Sequence, residues 1–311
     1  MNRIEIIPTN NLAAQITFVT IQTVLELNLR YLILFSFYQP EGKALTPPPI
    51  VLTIAGSDSS GGAGIQADIK TLSALGVYSA SVITNITAQN TCGVDEVYSL
   101  PHSIIESQLN SVFSDLDIST VKIGMLNNKS TVELVIKILH RYQPKNIVLD
   151  PVMVSSSGKQ LIEDNAIEVI KSQLFPITTL ITPNIPEAAI LTDSTQANSK
   201  TTMLQAIYQL KDLGSESTLL KGGHLVGDTC IDLLLSNDEI HEFKQTKLLT
   251  SNTHGTGCTL SSAIAANLAF GDSMKTAVCK ANQYLHKAII QADSLNVGKG
   301  HGPVHHFYHQ W

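Results

Sequence analysis

The chain has 311 residues, 43% of them hydrophobic and 15% charged, with a formal net charge of −6. That length supports one large domain, or two small ones, with a full hydrophobic core. The acidic balance and the lack of any Lys/Arg run argue against a nucleic-acid binder, which would carry a basic face.

Residues 1–48 differ in character from the rest of the chain. The stretch "ITFVTIQTVLELNLRYLILFSF" (16–37) is strongly apolar. Glu26, Asn28 and Arg30 fall in its middle, and a charge at the centre of an inserted helix costs about 2.5–3.5 kcal/mol. A basic leader, a short apolar run and a small-residue cleavage site are not evident, so a signal peptide is not expected. "LTPPPI" (45–50) then reads as an extended linker. The expectation is an appendage, flexible or an upstream extension of the gene model, with no stable membrane association. The main domain is expected from 49 to 311.

From Ile50 onward, short apolar β-branched runs alternate with amphipathic stretches. Strands are expected at 50–56, 78–84, 120–124, 146–152, 179–183 and 217–223. Helices are expected at 64–75, 103–114, 130–141, 164–174, 201–213, 256–270 and 273–293. Near-continuous apolar strands with helical crossovers predict an α/β fold, a mostly parallel sheet covered by helices on both faces. Such sheets bind ligands at the carboxyl ends of their strands.

The residues after each strand are therefore the informative ones. "AGSDSSGGAGIQAD" (55–68) has P-loop-like glycines, but Gly62 and Ala63 stand where Lys and Ser/Thr would be needed. A tight turn or a close backbone approach to ligand both remain open. Gln89 in "ITAQNT" carries a paired donor and acceptor that match an aminopyrimidine edge, or it is a surface residue. Asp150 ends "NIVLD", a place for Mg²⁺ or a phosphate-side role, or for a turn. Asn184 and Glu187 in "TPNIPEAAIL" put an amide oxygen and a carboxylate on one side of a helix's first turn, which suits Mg²⁺ or a plain helix start. Lys221 in "LLKGGH" can reach phosphate oxygens as a point charge. "NTHGTGC" (252–258) opens a helix with Gly255, Thr256 and Gly257, a ready anion hole, and places Cys258 at its mouth. Together these form a kit for phosphoryl transfer. The four cysteines, Cys92, Cys230, Cys258 and Cys279, form no CxxC pair, which points to a reducing, cytoplasmic setting without zinc. The tail "VHHFYHQW" holds His305, His306 and His309 and reads as a packed C-terminal segment, preferred over a metal tract.

The ordered motifs "TIAGSDSSGGAGIQADIKT", "AQNTCGV", "KIGML", "LDPVM", "TPNIPEA", "LKGGH", "NTHGTGCTLS" and "GKGHGPVHHF" resemble the hydroxymethylpyrimidine/phosphomethylpyrimidine kinases of thiamine biosynthesis, in the ribokinase-like superfamily. The resemblance runs from about Ile50 to Trp311 and leaves residues 1–48 without a counterpart. It implies ATP as co-substrate, Mg²⁺, a small pyrimidine substrate and a homodimer. It implies that Ala63, Gln89, Met125 and Val152 hold the pyrimidine, that Gly255–Cys258 form the anion hole, that Asn184 and Glu187 are Mg²⁺-linked, and that Lys221 contacts phosphate. Thr87 stands where relatives often carry an apolar residue. Most ribokinase-like kinases place an aspartate base where this chain has Cys258, and a thiol at a helix N-terminus can have a lowered pKa and act as a thiolate. The implied reaction phosphorylates 4-amino-5-hydroxymethyl-2-methylpyrimidine and then its monophosphate. The alternatives are a pyridoxal kinase and a pyrimidine-binding sensor without turnover.

Overall fold

The apolar run that opens the body forms the first strand, β1 (Ile50–Asp58), buried along nearly its whole length. The computed structural model describes residues 47–154 and 160–311, so the apolar stretch at 16–37 lies outside the described residues. The further strands are β2 (Tyr78–Asn90), β3 (Gly93–Ser99), β4 (Ile118–Ile123), β5 (Asn146–Leu149), β6 (Leu180–Ile181), β7 (Ser217–Leu220), β8 (Thr229–Ser236) and β9 (Glu239–Thr246). The helices are α1 (Gly64–Ala74), α2 (His102–Asp115), α3 (Lys129–Tyr142), α4 (Asp164–Val169), α5 (Ile185–Leu191), α6 (Lys200–Lys211), α7 (Thr256–Ala269) and α8 (Met274–Ile290). The strands form one nine-stranded sheet in the order β3-β2-β1-β4-β5-β6-β7-β8-β9. Neighbours from β2 through β7 pair in parallel. β3 on one edge, and β8 and β9 on the other, are antiparallel.

Successive residues of a strand face opposite sides of a sheet, and β1 divides its side chains accordingly. Val51 shares a core layer with Leu72 of α1, Ile264 of α7 and Ala281 of α8. Leu52 and Ile54 share the opposite layer with Leu109 of α2, Ile138 of α3, Ala166 of α4, Ile185 of α5 and Ile207 of α6. Helices therefore cover both faces, and the crossovers place every βα turn of the parallel strands on one edge.

The expected parallel strands and helices are present, with shifted ends. The three antiparallel strands, the edges β3 and β9 and the interior β8, were not among the expected elements. Edge strands are half-solvated and alternate in burial, as β9 does, so a search for continuous apolar runs passes over them. Asn237 and Asp238, both with positive φ (51° and 63°), make the two-residue turn joining β8 to β9, a recognisable hairpin signal. The helix expected at 164–174 begins as α4 and loosens into a wider turn over Ile170–Leu174 before Pro176.

The C-terminal segment is packed. His305 and His306 are buried, the Tyr284 hydroxyl donates to the His306 carbonyl (2.6 Å), and His306 Nε2 lies 3.2 Å from Thr259 Oγ1 on α7. Among the described residues, no helix is long and apolar enough to cross a membrane.

Candidate active site

Two glycine turns define the centre of the site by lying against each other. The first runs from the end of β1 through Gly61 and Gly62 to Gly64, which opens α1. The second is Gly255, the N-cap of α7, held at φ 79°. A Cβ on Gly255 would fall 1.8 Å from the Gly62 carbonyl oxygen, and one on Gly64 would fall 2.3 Å from the Gly56 carbonyl oxygen. No larger residue fits either position, which is why glycine recurs in both motifs.

The N-terminus of α7 carries the anion-binding groups. Thr256 N–H is engaged by the Thr253 carbonyl at 3.3 Å. The Gly257 and Cys258 N–H groups face no protein acceptor among the described residues, leaving them as outward donors. A Cβ on Gly257 would stand 3.2 Å from Asp150 Oδ2 and 3.4 Å from Lys221 Nζ, so the mouth of α7 opens directly onto that pair. Asp150 Oδ1 accepts from Lys221 Nζ at 2.8 Å and from Thr182 Oγ1 at 3.0 Å. Burial opposes charge on both, but the Coulomb attraction between them prevails: Asp150 is held below the usual carboxylate range and Lys221 above the usual lysine value.

Asn184 and Glu187 form a reciprocal capping box at the start of α5. Glu187 N–H donates to Asn184 Oδ1, and Asn184 N–H donates to Glu187 Oε2, both at 2.8 Å. The plain helix-start reading of this pair is thus present in the geometry. Burial, with Asp150 adding to it and Lys221 opposing, pushes the Glu187 carboxyl up to about 7.

The ring-side residues occupy the neighbouring strand ends. Gln89 is half-buried near the end of β2. Its side-chain nitrogen lies 3.3 Å from His254 Nε2, and its oxygen 3.1 Å from Thr87 Oγ1. Ala63 is the N-cap of α1, and its N–H donates to Asp58 Oδ2 at 2.8 Å. Met125 follows β4, buried, with Sδ 3.5 Å from where a Gly56 Cβ would be. Val152 follows β5, half-buried, its N–H turned back to the Asp150 carbonyl at 2.8 Å. The ends of β2, β1, β4 and β5 thus supply the ring-side residues, and β5, β6 and β7 the charged ones.

One expectation is corrected. The helix terminus does not lower the Cys258 thiol. Burial pushes it up to about 11, with Asp68 and Asp150 adding to the rise, and neither nearby Lys122 nor the Gly64 N–H that donates to its sulfur overcomes this.

Sequence reasoning passed over two constellations. Lys122 and Asp68 form a fully buried ion pair, with both carboxylate oxygens 2.9 Å from Nζ. Asp68 also accepts from Thr53 Oγ1 (2.6 Å) and from Ser262 Oγ (2.8 Å), one helical turn beyond Cys258. A lysine inside an apolar strand opposite a mid-helix aspartate is the one signal that could have found it. The other constellation is Asp58 with His254, whose Nε2 lies 2.8 Å from Asp58 Oδ2.

A helix mouth and a lysine at the carboxyl edge of a parallel sheet, next to a socket carrying a donor–acceptor amide, make a site for phosphoryl transfer to a small ring compound. The chain belongs to the phosphomethylpyrimidine kinase family, whose model matches residues 58–305. It is 49% identical over 260 residues to the hydroxymethylpyrimidine/phosphomethylpyrimidine kinase of Salmonella typhimurium, covering 84% of this chain and 98% of that one. It is 47% identical over 262 residues to the enzyme of the same description from Rhizobium meliloti, again covering 84% and 98%. Among solved structures it resembles the phosphomethylpyrimidine kinase of Clostridium difficile, with TM-score 0.69 and 42% identity over 78% of this chain and 99% of that one. It also resembles the pyridoxal kinase of Bacillus subtilis in its ADP complex, with TM-score 0.78 and 32% identity over 83% and 97%.

Proposed function

We propose that this chain transfers a phosphoryl group from ATP to 4-amino-5-hydroxymethyl-2-methylpyrimidine, and then a second one to the monophosphate, in one site. The observation that carries this reading is the placement of Gly257 against both Asp150 and Lys221, one residue from Cys258. In that placement Lys221 and the Gly257 and Cys258 N–H groups meet the charge that develops on the transferred phosphoryl group. Gln89 pairs with the amino group and the bare ring nitrogen beside it, and Ala63, Met125 and Val152 line the ring. In its thiolate form, which burial makes scarce at neutral pH, Cys258 at the mouth of α7 would accept the proton of the attacking hydroxyl in the first step. The second step has an ionised phosphate as nucleophile and needs no such transfer.

The donor set fits a Mg²⁺ ion in part. Among the described residues Asp150 Oδ2 makes no hydrogen bond, and Glu187 adds a second carboxylate, while the Asn184 amide oxygen is engaged as a helix cap. Among the described residues no three His, Cys, Asp or Glu side chains converge, so the ion would complete its shell with water and phosphate. Bound there, it would neutralise charge on the phosphates.

The domain is assigned to 49–311, in the cytoplasm, as a homodimer. The dimer reading is supported by the β2–β3 edge, where the cross-strand pair Ile86 and Tyr98 is exposed by 48% and 59%. A second substrate, pyridoxal, is favoured by the likeness to the Bacillus subtilis pyridoxal kinase. An ATP-coupled assay with the pyrimidine alcohol, its monophosphate and pyridoxal tests the reading. Turnover of both pyrimidines is expected. Turnover of pyridoxal alone would favour the second reading, and binding without turnover would favour a sensor.

A further inference from the structure

His254 sits between two groups that make opposite demands on it. Its Nε2 lies 2.8 Å from Asp58 Oδ2 and 3.3 Å from the Gln89 side-chain nitrogen. The Asp58 carboxylate is pinned. One oxygen accepts from the Ser60 N–H (2.8 Å) and hydroxyl (2.7 Å), and the other from the Gly62 N–H (3.1 Å) and Ala63 N–H (2.8 Å). Burial works against its ionisation, but the bonds from His254, Ser60 and Ala63 outweigh burial and hold Asp58 down to about 2. It is therefore an acceptor only, and His254 Nε2 must carry a hydrogen to reach it.

An N–H cannot also accept from an amide N–H₂. The end of the Gln89 amide nearest His254 is therefore its oxygen, with the amide nitrogen turned to Thr87 Oγ1, 3.1 Å from the other end of the amide. Thr87 Oγ1 donates to the Ser57 carbonyl at 2.9 Å and keeps lone pairs free to accept. The chain Asp58–His254–Gln89–Thr87–Ser57 is then satisfied in one direction only. The His254 ring lies against the Gly62 backbone, where a Cβ would fall 2.3 Å from its Cδ2, and its backbone N–H donates to the Gly302 carbonyl at 3.1 Å.

We propose that His254, oriented by Asp58, is a specificity-determining positioning residue: it locks the Gln89 amide in one of its two orientations. The site thereby accepts a ring presenting an amino group beside a bare ring nitrogen and rejects one presenting an oxo group beside a ring N–H. This rests on the pyrimidine reading above. A free amide can turn over and pair with either edge; a locked one meets the oxo ring with donor against donor and acceptor against acceptor. The polar residue Thr87 on this wall is accounted for as the far anchor of the lock.

The test compares kcat/KM for the aminopyrimidine alcohol with that for its 4-oxo analogue. Each mismatched buried hydrogen bond costs about 1–3 kcal/mol, so the intact chain should prefer the amino ring by roughly 10²-fold or more. His254→Leu frees the amide, and the preference should fall by at least about tenfold on the same scale. His254→Gln, whose amide N–H₂ can stand where Nε2 stood, should recover most of it. Asp58→Asn removes the charge that keeps the hydrogen on Nε2 and should also lower the preference. Should His254→Leu fail to fold, as read by thermal melting, the contrast between Asp58→Asn and His254→Gln decides. A purely structural role would lower both substrates together and leave their ratio unchanged; that result overturns the proposal. Calorimetric binding of both rings to the same proteins separates the two readings. If the intact chain turns over neither ring, the kinase reading fails, while the binding ratio still decides the role of His254.

Discussion

Replacing Lys122 by methionine removes the ammonium of a fully buried pair while keeping nearly the same volume. Both side chains have 0% exposure, and both Asp68 oxygens lie 2.9 Å from Nζ. Breaking a buried pair by deleting one partner costs about 3–5 kcal/mol, because the other charge stays buried and uncompensated. The Thr53 and Ser262 hydroxyls still donate to Asp68, which places the expected loss at the lower end. With a urea m-value of about 3 kcal/mol/M for a domain of this size, the unfolding midpoint should fall by about 1 M. Neutralising both partners, Lys122→Met with Asp68→Asn, should recover most of that, because the pair repays little more than its own desolvation. The assay is urea unfolding at pH 7 followed by circular dichroism. A single variant within about 1 kcal/mol of the parent, or a double variant as damaged as the single, would refute the argument that an uncompensated carboxylate is what destabilises.

Three further outcomes are expected from named groups. If Cys258 takes the proton, the first phosphorylation should rise about tenfold per pH unit between pH 7 and 10, because its thiol is pushed up to about 11, while the second step stays flat; equal profiles would reduce Cys258 to a wall of the hole. His306 is buried and neutral, held down to about 3 by burial, with Lys70 and His305 adding to the effect. Its folded value lies below the unfolded one, so it costs nothing above pH 6.5 and destabilises progressively from pH 6.5 down to 3. The loss should be about 2 kcal/mol at pH 5, absent in His306→Phe, and readable in urea midpoints. A chain beginning at Pro47 should fold and keep full activity; aggregation or loss of turnover would move the domain boundary upstream.

The central parallel sheet was legible because strands buried on both faces are apolar throughout and interrupted by amphipathic helices. β3 and β9, the two edges, were not, since an antiparallel edge mixes charge into its strand, as Glu239 and Lys244 do in β9; β8, an interior strand whose run is broken by buried Asp232, was passed over with its hairpin partner. The anion mouth at Gly255–Cys258 and the strand-end charges Asp150 and Lys221 could be read because chemistry at a strand's carboxyl end is local in sequence. The Asp58–His254 and Asp68–Lys122 pairs join residues 196 and 54 positions apart, and no spacing rule connects such partners. The pKa of Cys258 also escaped, because the helix terminus is written in the sequence and burial is not.

If one site performs two successive transfers to one aminopyrimidine, product mass followed over time, with limiting enzyme and excess Mg²⁺ and ATP, should show both. A monophosphate should rise and then give way to a diphosphate, with both steps abolished together in Lys221→Met. A single phosphorylation that never proceeds, or a Lys221→Met protein that loses one step and keeps the other, would contradict it.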